Sequence, residues 1–112
     1  MDASQGSGET PVFVYATASS VEEAKTIGSM VVAERLAACA NILGGMMSIY
    51  RWDGGMAENM EAMLLLKTTR DRLDALKARV EALHSYEVPC IAVLPVESVS
   101  QGFGAWIVAE TR

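Results

Sequence analysis

The chain is poor in the residues that most often announce a chemistry. It holds two cysteines, Cys39 and Cys90, and a single histidine, His84. Two thiols so far apart make a poor disulfide framework, which suggests reduced thiols and a cytoplasmic setting. A paired Cys-x-x-Cys is absent, and so are the glycine-rich phosphate loops of nucleotide-binding proteins. No apolar run approaches the roughly 18 residues of a membrane span, and the N-terminus lacks the basic start and apolar middle of a signal peptide. Basic residues are outnumbered, nine to fourteen, for a net charge of −5. That balance argues against a nucleic-acid footprint, which needs a basic face.

Apolar character is what the chain has in excess. Hydrophobic residues make up 51% of 112 positions, with few aromatics and seven methionines. A domain this small has proportionally more surface, so such a share predicts burial against other subunits.

The pattern along the chain divides into short elements. Met1 to Thr10 is rich in Gly, Ser and acid and is expected to be a disordered tail, leaving residues 11–112 as one domain. Val12 to Ala16 reads as a buried strand. Ser20-Val21-Glu22-Glu23 is a capping box, opening a helix through Ala24, Ile27, Gly28 and Val31 to about Leu36. Ala38 to Leu43 is extended and Gly44-Gly45 breaks it. Met46 to Trp52 alternates as a strand, with Met46, Ser48, Tyr50 and Trp52 on one face. Asp53-Gly54-Gly55 is a turn, after which Met63 to Leu66 pairs back as a hairpin. Thr69 is placed to cap a second helix whose stripe is Leu73, Leu76, Val80 and Leu83. Ile91 to Leu94 is a last strand, and Phe103, Trp106 and Ile107 mark a terminal helix. The order β-α-β-β-α-β with an extra C-terminal helix predicts an α+β, ferredoxin-like fold.

Candidate chemistry gathers at His84-Ser85-Tyr86-Glu87-Val88-Pro89-Cys90, where the second helix gives way to the last strand. Imidazole and thiolate are donors that copper and zinc accept. His84, Glu87 and Cys90 are therefore candidate metal ligands, though too few for a closed site. Each has a plainer reading: His84 as a helix C-terminal residue, Cys90 as a small packed thiol. Cys39, among alanines, reads as packing. The methionines Met46, Met47, Met56, Met60 and Met63 read as interface filling more readily than as thioether ligands. Lys67, at a strand-to-helix junction, is a candidate for binding a small anionic ligand, with Tyr50, Trp52 and Tyr86 as lining. Its plainer role is a snorkelling or paired lysine. Cys90, His84 and Glu87 supply the residue types of a nucleophile, a base and an orienting group, but no oxyanion-hole signature accompanies them. No catalytic residues are assigned, and no organic cofactor is expected.

Four segments carry a family resemblance. Glu34-Arg35-Leu36-Ala37-Ala38-Cys39-Ala40-Asn41-Ile42, Ser48-Ile49-Tyr50-Arg51-Trp52, Leu66-Lys67-Thr68-Thr69 and Tyr86-Glu87-Val88-Pro89, in that order, resemble the CutA divalent-cation tolerance proteins. The likeness covers about Val12 to Trp106. It implies a ferredoxin-like homotrimer, akin in architecture to PII signalling proteins, that acts in tolerance of copper and other divalent ions. A PII-like module binding a small anion at clefts between subunits is the alternative. The copper site proposed for some members uses a first-strand cysteine, a histidine and a glutamate. Here those positions hold Ala16, His84 and Cys90. Ser85 and Gly44 stand where proline is common in the family. The copper or other divalent-cation binding implied by the resemblance is therefore expected to be weak.

Overall fold

The computed structural model describes residues 8–112. The first seven residues of the expected tail lie outside that range. Its last three are docked: Gly8 and Thr10 carbonyls accept from the Asp71 and Arg70 amides at 2.9 and 3.1 Å, and Glu9 pairs with Arg112.

Four strands and three α-helices follow in the order β1 (Pro11–Ala18), α1 (Val21–Ala33), β2 (Cys39–Trp52), β3 (Gly55–Thr69), α2 (Leu73–Leu83), β4 (Ile91–Pro95) and α3 (Gln101–Glu110). The sheet order is β2-β3-β1-β4 with every neighbouring pair antiparallel. This is the expected split arrangement with an added terminal helix.

Period-two alternation decides which face of the sheet is core. Val14, Ala16 and Ala18 of β1 lie opposite Leu66, Leu64 and Ala62 of β3. All six are buried and packed with Ala24, Ile27 and Val31 of α1 and Leu76 and Val80 of α2. The other parity (Phe13, Tyr15 and Thr17 against Lys67, Leu65 and Met63) forms the second face. There α3 comes near: the Lys67 ammonium lies 5.5 Å from the Phe13 ring centre and 5.4 Å from that of Phe103.

Three local readings change in the fold. Gly44-Gly45 does not end a strand. β2 runs through it, because two residues there oppose the single Ala62 of β3, giving a bulge with Gly45 at φ +74°. A positive φ is where glycine alone is at ease. Next, β3 begins at Gly55 rather than Met63, so the hairpin is far longer than its apolar core suggests. Asp53 and Gly54, both at positive φ, close it between the paired Trp52 and Gly55 as a two-residue turn. Finally, α1 stops at Ala33 because Arg35 takes φ +62°. Thr69 makes no side-chain cap; it precedes a 3-10 turn, Arg70–Arg72, that leads into α2.

Beyond the bulge, β2 and β3 project as a two-stranded arm, and the molecule is 50 Å long but only 25 and 23 Å across. Met47, Ile49, Tyr50, Trp52, Met56 and Met60 of this arm are exposed on both of its faces.

Candidate functional site

A cavity of about 490 Å³ opens on the second face, where the arm leaves the body of the sheet. Thr17 of β1, Ser48, Tyr50 and Trp52 of β2 and Glu61 of β3 line its floor and one wall. Tyr86, Glu87, Val88 and Cys90 of the loop between α2 and β4 line the other. The register explains the gathering. Ser48, Tyr50 and Trp52 share parity with Glu61 across the hairpin, and Ile91 pairs with Ala16, which brings Cys90 level with Thr17.

Glu61 anchors the interior. Its Oε1 accepts from the Ser48 hydroxyl at 2.6 Å and its Oε2 from the Tyr86 hydroxyl at 2.8 Å. Burial, helped by the bond to Glu61, pushes the Tyr86 phenol up to about 12. The phenol therefore stays protonated and donating at neutral pH. Asn59, directly opposite Ser48, has a buried Oδ1 with no hydrogen-bond partner.

His84 holds the loop in place from behind. Its side chain is fully buried. The Tyr86 amide donates to Nδ1 at 3.0 Å, so Nε2 must carry the proton and donate to the Thr17 carbonyl at 2.7 Å. Glu23 Oε2 lies 3.8 Å from Nδ1, but Nδ1 is already an acceptor, so the contact is no ion pair in this tautomer.

Glu23 ties the loop to α1. As expected, the Ser20 hydroxyl accepts from the Glu23 amide at 3.0 Å; the carboxylate, however, reaches both ways. It accepts from the Ser19 amide and hydroxyl, each at 2.8 Å, and from the Ser85 amide at 2.7 Å. Burial alone would raise this carboxyl, yet the Ser19 and Ser85 bonds outweigh it and hold it down to about 2, from an ordinary 4.5. A carboxyl depressed by folding stabilises above its unfolded value, and the gain disappears as pH falls through its folded value. Discounted for the solvent screening of a partly exposed group, about 1 to 2 kcal/mol is therefore expected to be lost between pH 4.5 and pH 2. Urea midpoints followed from pH 7 down to pH 2 should fall for the native chain, and Glu23→Gln should remove much of that dependence.

The candidate residues therefore sort differently from their sequence grouping. Tyr50, Trp52 and Tyr86, expected to line a ligand site, do meet, and Glu87 and Cys90 join them. Lys67 does not. It lies six positions along β3 from Glu61, roughly 20 Å away at strand rise, with its ammonium over aromatic rings near α3. The cavity lining has no basic residue and two carboxylates, the wrong sign for the anion that Lys67 suggested. His84 does not converge with Glu87 and Cys90 as a ligand, because both its ring nitrogens are engaged. Among the described residues, no cluster of three or more His, Cys, Asp or Glu side chains is arranged to hold a metal ion. Copper held by one chain alone does not fit this donor set.

Glu61, Ser48 and Thr17 also line the cavity. Alternation places Ser48 on the face of Tyr50 and Trp52, whereas the apolar run that marks the next strand starts at Met63 and leaves Glu61 outside it, although the strand itself begins at Gly55.

The pattern of the CutA1 divalent ion tolerance proteins matches residues 12–110. The chain is 47% identical over 94 residues to the divalent-cation tolerance protein CutA of Thermus thermophilus, covering 84% of this chain and 91% of that protein. It is 36% identical over 101 residues to the chloroplastic CutA 1 of Oryza sativa, covering 90% of this chain but only 57% of the rice protein. The crystal structure of CutA from Xylella fastidiosa superposes with a TM-score of 0.89 at 32% identity, over 91% of this chain and 98% of that one. The chain belongs to the CutA1 divalent ion tolerance family.

Proposed function

We propose that this member of the family acts in divalent-ion tolerance as a cytoplasmic, non-catalytic homotrimer that binds copper or a similar cation weakly and reversibly. The observation that carries the cation reading is the cavity, which presents Glu61, Glu87 and Cys90 with no basic residue among its lining. Cys90 is exposed and offers a soft donor, and Glu87 beside it offers a hard one. Two donors hold a metal loosely unless a second copy or an exogenous ligand supplies more. His84 serves this site only by holding the loop.

Assembly is supported by the arm. A two-stranded hairpin alone is marginal in water, and on the face away from the cavity this one bares Ile49 at 61% and Met56 at 73% exposure, beside exposed Met47 and Met60. Covering those side chains with other copies accounts for the apolar excess of the composition, and three copies is the number that the family resemblance implies.

The test is anaerobic titration with zinc(II), and with copper(I) under a competing chelator. Cys90→Ser is expected to weaken binding about tenfold while leaving the fold intact. Unchanged affinity, or none in the native protein, would overturn the reading. Sedimentation should give a trimer, and a stable monomer would contradict the assembly. A PII-like role as a ligand-operated module is the second reading, favoured by the size of the cavity and by Tyr50, Trp52 and Tyr86 in its walls.

A further inference from the structure

The cavity is built for something larger than a metal ion. At about 490 Å³ it falls within the range of small-molecule sites. Three aromatic residues, Tyr50, Trp52 and Tyr86, contribute to its lining together with Val88.

A count of donors and acceptors identifies the chemistry. The hydroxyl hydrogens of Ser48 and Tyr86 both point at Glu61, so neither is available to a ligand. Glu61 is itself fixed by them. A carboxylate has about four lone-pair positions and these bonds use two, which leaves acceptor capacity in a held geometry. Glu87 adds a second carboxylate, and no Lys, Arg or His is among the lining residues. The interior therefore offers acceptors, negative charge and π systems. An anion meets two carboxylates and no basic side chain, with only neutral donors such as the Thr17 and Tyr50 hydroxyls and the Trp52 indole N–H to receive it. An organic ammonium finds carboxylates for its charge and N–H groups, and aromatic rings that attract cations and pack its carbon substituents.

We propose that the cavity binds a small organic ammonium ion, with its nitrogen toward Glu61 and Glu87 and its carbon substituents against Trp52, Tyr50 and Val88. This goes beyond metal binding and does not depend on it. Glu61 and the aromatic rings would take the organic cation and Cys90 the metal, with Glu87 common to the two readings.

Trp52 makes the test direct. The other tryptophan, Trp106, sits on α3 stacked on Phe103, outside the cavity lining, so in a Trp106→Phe protein the indole fluorescence reports Trp52. Choline chloride and butylammonium chloride are titrated at constant ionic strength with EDTA present, so that metal plays no part. Controls are 3,3-dimethyl-1-butanol, the neutral carbon counterpart of choline, and sodium acetate. A saturable change is expected with at least one ammonium ion and with neither control. The affinity is expected to fall about tenfold in Glu61→Gln. Glu87→Gln, on the loop, gives a smaller loss and serves if the first variant does not fold. No saturable response to either ammonium ion, or an equal response to the alcohol or to acetate, overturns the proposal. Because EDTA is present, a failure here is separate from any failure of the metal titrations.

Discussion

Replacing His84 by alanine is expected to lower stability by about 3 kcal/mol while leaving the metal affinity of the folded fraction nearly unchanged. The reasoning follows the two ring nitrogens. Alanine removes the Nε2–H that donates to the Thr17 carbonyl and the Nδ1 that accepts from the Tyr86 amide. It also leaves a void where a fully buried ring stood. The loop from Ser85 to Cys90 is then held chiefly by the Glu23–Ser85 and Tyr86–Glu61 bonds. Urea unfolding gives the stability, and the same titrations used for Cys90→Ser give the affinity. A ligand histidine would behave in the opposite way, with a large loss of affinity and a modest loss of stability.

Leu66→Ala is expected to cost about 3 to 4 kcal/mol, within the range for emptying a fully buried leucine site. Leu66 has no exposure and lies between Val14 of β1 and Ala40 of β2 in the layer covered by the two core helices. Its neighbours are held in a sheet on both sides, so the site has little freedom to collapse. Set against a typical total of 5–15 kcal/mol, the loss is a large fraction, visible as a lowered denaturant midpoint. Met56→Ala makes the contrast. Met56 is 73% exposed in the single chain, so a comparable loss there, growing on dilution, would report burial between subunits.

The fold was legible where one period dominated. Ala24, Ile27, Gly28 and Val31 on one helix, and Leu76 and Val80 on another, marked core faces that the structure buries. Where two influences competed, the sequence misled. Gly44-Gly45 looks like a strand end, but glycine also permits the bulge that carries β2 onward. Met56 to Ala62 lacks a sustained apolar face, so its strand character came from pairing with β2 rather than from its own pattern. The site was half legible for the same reason. Tyr50 and Trp52 followed from alternation and Tyr86 from its motif. The distance of Lys67 and the inclusion of Glu61 depended on strand lengths that local pattern did not set. His84 was the clearest case of chemistry outrunning geometry: its residue type suggested a ligand, and only its two bonded nitrogens assign it to the scaffold.

X-ray absorption on the copper(I)-loaded protein tests the central claim most directly, because it reads the atoms around the metal. Sulfur and light oxygen scatterers, from Cys90 and Glu87, are the predicted surroundings, with no imidazole signature and no change in His84→Gln. An imidazole pattern that disappears in His84→Gln would contradict the account and return the histidine to the metal.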